Sequence, residues 1–234
     1  KVRKMRTKIA TLVISALMLV AIVPAVSAGP FEEAQARYLS AKAELLELYS
    51  EWLSARADFL QVRARWRGDR TDQNLADLVQ AGKEATLKGC DVVIKYCEML
   101  RVQVEATRGL SDNEKAPLYD EIDGYISELQ AKRVSVQNAG NAQELRTAAG
   151  ELWRYWLQIR VRLKQITAQL IVAWADAVVQ RLEAFAGRIE ATIQQLKDNG
   201  IDTTSLESWL AEFNSKIDSA KQRIADAENK VGQI

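Results

Sequence analysis

Histidine is absent from all 234 residues of the chain. Its absence removes Ser-His-Asp and Cys-His catalysis, imidazole-ligated metals and imidazole acid–base work near neutral pH. Proline occurs only 3 times and glycine 11 times, which leaves little turn chemistry for a β-rich fold. The glycines are scattered at segment ends and along seams, so no Gly-rich loop is formed to cradle a phosphate. With 2 cysteines a disulfide scaffold is excluded, and no Asn-x-Ser/Thr sequon occurs. Nothing in the chain assembles a recognisable catalytic site, so a non-enzyme without cofactor, metal or small-molecule substrate is expected.

What is present is helix-forming. Ala, Leu, Glu, Lys, Arg and Gln dominate, the residues with the best helix propensity. The formal net charge is +1, but five basic residues (Lys1, Arg3, Lys4, Arg6 and Lys8) stand at the very start. Without them the balance is 27 basic to 31 acidic, a net of −4. A mildly acidic chain with interspersed charges lacks the basic footprint of a nucleic-acid binder.

The opening segment reads as a secretory signal. Lys1 to Lys8 is a basic region, Ile9 to Val26 is apolar and uncharged, and Val26-Ser27-Ala28 places small residues at a cleavage site after Ala28. The competing reading is an uncleaved anchor, because eighteen apolar residues are about enough to span a bilayer. No second apolar span follows. The expected location is secreted or within the extracytoplasmic cell envelope.

Beyond the leader (1–28), the spacing predicts an all-α fold: an elongated antiparallel bundle or coiled coil of about five long helices. A helical hairpin is expected over 29–110 and a three-helix segment over 111–234. In the first helix, Phe31, Tyr38, Leu45, Trp52, Phe59 and Trp66 alternate with Ala34, Ala41, Leu48, Ala55 and Val62 in 3-4 spacing, a heptad seam. A further row (Leu39, Leu46, Leu53, Leu60) widens the apolar stripe, which predicts several neighbouring helices. The second helix, from Asp72 to about Arg108, carries the small residues Gly82, Ala85, Thr86, Gly89 and Cys90, suited to receive the large aromatics of the first. Gly109-Leu110 is expected to close it as a Schellman stop.

Ser111 with Glu114 fits a capping box, and Pro117 is expected to delay the regular third helix to about Leu118. Asn141 with Glu144 restarts the chain into a helix predicted to run unbroken over 142–198, about 85 Å at 1.5 Å per residue. Its seam is Leu145, Ala149, Leu152, Trp156, Ile159, Leu163, Ile166 and Leu170. A slipped rhythm continues it through Trp174, Val178, Leu182, Phe185, Ile189, Ile193 and Leu196. Between Ala168 and Val179 this helix is apolar nearly all round and is expected to be surrounded by others. Gly150 and Gly187 are its candidate kinks. Asn199-Gly200 stops it, and Leu206, Leu210, Phe213, Ile217, Ala220, Ile224, Ala227 and Val231 form the heptad of a fifth helix folding back on the fourth. The third and fifth helices together match the fourth in length, so the fourth is expected to serve as a spine.

Three residue groups carry candidate chemistry. Cys90 and Cys97 lie seven apart on one helix, about 10 Å, too far to bond to each other. They are either core thiols or interchain disulfide partners in a homodimer. Asp112, Glu114, Asp120, Glu121 and Asp123 form an acidic cluster whose spacing does not fit an EF-hand and suits a helix N-terminus. Trp153-Arg154-Tyr155-Trp156 with Arg160, Arg162 and Lys164 is the candidate interaction stretch, since basic and aromatic residues on a helix can meet anionic headgroups or wall polymers. Against that, Trp156 fits the core seam and the charges fall on several faces. Trp153 lies off the seam.

The leader end Val23-Pro24-Ala25-Val26-Ser27-Ala28, followed by long charged helices, resembles secreted archaeal coiled-coil and helical-bundle surface proteins. The segment Leu196-Lys-Asp-Asn-Gly-Ile-Asp-Thr-Thr-Ser-Leu206 is similar to a helical-hairpin turn found in such chains. The resemblance implies an envelope location and no activity. The expected role is a structural or protein-interaction module that binds a protein partner or itself through heptad faces. The alternatives are a membrane- or lipid-binding amphipathic bundle and an extracytoplasmic holdase chaperone.

Overall fold

The computed structural model describes residues 30–231, with side chains from residue 32 onward. The leader, the cleavage site after Ala28 and the Phe31 side chain lie outside the described residues. Among the described residues, 34–231 belong to one compact unit. Among the described residues the chain is all α-helical: α1 (Pro30–Gly68), α2 (Asp72–Ala106), α3 (Asp112–Asn138), α4 (Ala142–Asp198) and α5 (Thr204–Val231). None of these helices is long and apolar enough to cross a membrane.

Local chemistry sets most of the boundaries. Thr71 caps α2, its hydroxyl accepting from the Asn74 N–H at 3.2 Å. Ser111 and Glu114 close a capping box at α3, with the Ser111 N–H donating to Glu114 Oε2 at 2.8 Å. The Asn141 side chain accepts from the Gln143 and Glu144 N–H groups at 3.0 Å, starting α4. At its far end Gly200 adopts φ +74°, and the Ile201 N–H returns to the Leu196 carbonyl at 3.0 Å. That is the left-handed residue and six-to-one bond of a Schellman stop.

Two boundaries differ from the sequence expectation. Helix α3 begins at Asp112, with Pro117 inside it. The capping box already holds the first turn, and the carbonyl that loses its helical partner at Pro117 belongs to exposed Asn113, open to solvent. Helix α2 ends at Ala106, not Arg108, and not in a Schellman motif: Thr107 is extended, and its N–H bonds the Val104 carbonyl. Gly109 does adopt φ +95°, but its further constraint is tertiary, because a Cβ there would lie 2.5 Å from the Ala173 carbonyl oxygen.

Helices α1 and α2 run antiparallel. Arg37 pairs with Glu105 at 2.6 Å, Glu44 with Lys95 and Glu51 with Lys88. The last two pairs are one heptad apart on both helices. At and beyond the Glu51–Lys88 pair the aromatics of α1 lie over the glycines of α2. Trp52 Nε1 is 3.0 Å from the point a Cβ of Gly89 would occupy, and Phe59 is 3.3 Å from that of Gly82.

The main core is shared by α2, α3 and the first half of α4. Cys90, Cys97, Leu100, Val104, Ile122, Leu129, Val136, Ile159, Leu163, Ile166 and Leu170 belong to one buried cluster. Each fully buried aliphatic side chain there contributes about 1.5–3 kcal/mol. The turn at 110/111 is therefore a reversal of the chain within one core. Helix α3 is antiparallel to both neighbours: Asp91 and Arg101 of α2 meet Arg133 and Asp123, and Tyr155 and Arg162 of α4 meet Lys132 and Glu121.

Helix α4 is continuous through Gly150 and Gly187, and it changes sides. Its first half buries Leu145, Ala148, Leu152, Ile159, Leu163, Ile166 and Leu170 against α2 and α3. Its second half buries Val179, Ala186 and Ile193 against Leu210 and Ile217 of the antiparallel α5. Leu170 and Val179 are nine residues apart, about two and a half turns, so the two seams lie on opposite faces. This half-turn corrects the expected continuation: Leu182 and Phe185 are 37% and 46% exposed and border the α5 seam instead of forming it. The stretch from Ala168 to Val179 is half-buried, with Ile171 exposed, not enclosed all round. One helix touching different partners on opposite faces needs apolar residues on both sides where it changes over.

Candidate interaction surfaces

The acidic cluster and the thiols take structural roles. Glu114 caps α3, and its hydrogen bonds from Ser111 hold its carboxyl below the usual range. Asp123 pairs with Arg101 at 2.8 Å, and Glu121 receives both arms of Arg162 at 2.8 Å. No cluster of three or more His, Cys, Asp or Glu among the described residues is placed to hold a metal ion. Cys90 and Cys97 are 2% and 0% exposed, and Cys90 Sγ lies 3.5 Å from the Leu129 carbonyl as a weak donor. Burial pushes both thiols up to about 12. They are core thiols, and a disulfide to another chain through either would require this core to open.

The basic-aromatic stretch of α4 is divided by its packing. Arg162 turns inward to Glu121. Arg154 folds back on its own helix, donating to the Gly150 carbonyl at 3.3 Å. Trp156 is partly buried against the main core. Trp153, 59% exposed, points outward with exposed Arg160 and Lys164. Steps of seven and eleven residues return to the same face within about 20°, so these three share one face, while Arg154 and Arg162 fall on others, as the expectation that the charges scatter had it.

The widened stripe of α1 is the larger surprise. Leu39, Leu46, Leu53 and Leu60 were expected to be covered by further helices, but they are 54%, 51%, 43% and 49% exposed. The inner seam (Tyr38, Ala41, Leu45, Ala55) is buried, with Met99 of α2 in the same cluster as its first three members. The leucine row lies away from it. Beside that row stand Ala36, Ala43, Ser50, Ala57 and Ala64, all exposed, interleaved with the leucines at spacings of three and four. Helix α1 therefore carries two complete heptad seams. The small-residue row was readable in the sequence by the same spacing rule, but alanines in a helix carry little signal by themselves.

A smaller aromatic cluster sits on the α4–α5 hairpin. Trp209 stacks on Phe213 with ring centroids 5.3 Å apart, and Phe213 meets Phe185 edge-on at 6.3 Å. The groove between α1 and α2 is lined by Glu44, Glu51, Asp91, Lys95 and Glu98, carboxylates partly engaged by Lys88 and Lys95. No protein-family model, curated protein or solved structure matches the chain.

Proposed function

We propose that this is an exported, non-enzymatic helical-bundle protein of the cell envelope that acts as a structural or protein-interaction module. The observation that carries this reading is the outer leucine row of α1. Four leucines at strict heptad spacing stay about half exposed on a chain whose other seams are packed, and contiguous exposed apolar surface of this kind marks association sites. Export rests on the basic and apolar leader of the sequence. The test is crosslinking and affinity purification of the tagged protein from native envelopes, read by mass spectrometry, beside a Leu46→Asp variant. One stoichiometric partner, or the protein itself, recovered with the wild type and lost with the variant supports the reading. Recovery unchanged by the substitution removes it.

A second reading is favoured by one observation, the shared outward face of Trp153, Arg160 and Lys164. An aromatic residue with two cations suits an anionic bilayer surface. Sedimentation with vesicles of anionic and of neutral lipid tests it: binding only to anionic vesicles, lost in Trp153→Ala, supports a membrane contact.

A further inference from the structure

We propose that the outer seam of α1 pairs with the same seam of a second copy as a parallel, two-stranded coiled coil. This rests on the interaction-module reading and names the partner.

The seam alternates leucine (39, 46, 53, 60) with small residues (36, 43, 50, 57, 64), nine consecutive positions in 3-4 order. It lies about 150° around the helix from the inner seam that meets α2, so α1 can hold α2 and a second helix at once. From Leu39 to Leu60 it runs about 30 Å at 1.5 Å per residue. Leucine stands at the position that holds leucine in parallel dimers, and the small residues at the other let two helices approach closely.

The margins of the seam decide between occupants. One margin carries Gln35, Lys42, Tyr49, Arg56 and Arg63 and is basic. The other carries Ser40, Glu47, Ser54 and Gln61 and is neutral to acidic. In a parallel in-register pair each basic margin meets the opposite margin of its neighbour. Lys42 then stands beside Glu47 of the partner subunit, twice by symmetry, and no like charges meet. An antiparallel pair brings basic margin to basic margin. In both antiparallel registers that set every leucine against a small residue, Lys42 faces Arg56 or Arg63 of the partner subunit, again twice. Like charges across a coiled-coil seam select against that arrangement.

The test uses the full chain in mild detergent, with mass measured by sedimentation. The expected result is a dimer. Ser50→Cys places a thiol at a central core position next to its counterpart, so mild oxidation joins it to itself, while the wild type, with both thiols buried, stays uncrosslinked. Leu46→Glu keeps native helicity by circular dichroism and weakens the dimer on the order of 100-fold or more. Glu47→Lys weakens it about tenfold, and adding Lys42→Glu restores it. A monomer, a dimer indifferent to Leu46→Glu, or Ser50→Cys that fails to join overturns the proposal. If the monomer still captures one foreign protein through Leu46, self-pairing fails and the interaction-module reading stands. If no capture depends on α1, both fail.

Discussion

Trp52 of α1 lies across Gly89 of α2, its Nε1 3.0 Å from the point where a Cβ would stand. The glycine is required by the neighbour's ring, since its own φ is helical. Gly89→Leu is expected to displace the indole and cost about 1–3 kcal/mol. Gly124→Ala and Gly187→Ala, with nothing within 4 Å of the added methyl, are expected to gain about 0.5–1 kcal/mol from helix propensity. Urea denaturation of the three variants checks the opposite signs.

Glu121 accepts from both arms of Arg162 and from the Tyr125 hydroxyl. Arg162 first, and Tyr125 with it, holds the carboxyl below the usual range. A carboxyl with a lowered folded-state pKa contributes stability that is present above the ordinary value of about 4.3 and lost as pH falls through the lowered one. The pair is about one-quarter to one-third exposed, so Glu121→Gln is expected to cost only about 1 kcal/mol at pH 7. Denaturation midpoints at pH 7 and pH 3 should show the wild type and the variant converging in acid.

The two thiols should be silent in the folded protein. With both buried and pushed up to about 12, little thiolate forms at pH 8 and no reagent reaches it. Alkylation followed by mass spectrometry is expected to label neither Cys90 nor Cys97 until denaturant unfolds the core, and then to label both together.

The α4–α5 hairpin should open before the main core. Its shared cluster is built on Val179, Ala186, Ile193, Leu210 and Ile217, far fewer side chains than hold α2, α3 and the first half of α4. Ile217→Asp is expected to release α5 and shift tryptophan fluorescence as the Phe213–Phe185 contact between the helices is lost and Trp209 is exposed. The main core should keep its stability within about 0.5 kcal/mol. Hydrogen exchange read helix by helix checks this, with α5 amides exchanging through a lower-energy opening.

Helix content, the break at 139–140, the capping of α3 and α4, the stop at Asn199-Gly200 and the reception of Trp52 and Phe59 by Gly89 and Gly82 are all legible in the residues. Each depends on neighbours a few positions away, or on heptad spacing that a single helix displays. The partial failures lie at Pro117, where the capping box already holds the first turn, and at Thr107, whose extended backbone ends α2 before Gly109. The candidate interaction stretch was half legible, because spacing puts Trp153, Arg160 and Lys164 on one face but does not say that Glu121 of another helix draws Arg162 inward.

The sequence alone determines that the chain is helical, where its helices turn, and that α1 and α4 have more apolar surface than one neighbour can cover. Periodicity reports how wide an apolar face is, because side-chain direction follows from the helix itself. Only the tertiary structure decides which part of that face is used. It places the half-turn between Leu170 and Val179, giving α4 partners on opposite sides, and it leaves Leu39, Leu46, Leu53 and Leu60 bare on α1. Those choices depend on which distant helices arrive and in what register, an outcome of packing between segments far apart in the chain that no local window contains.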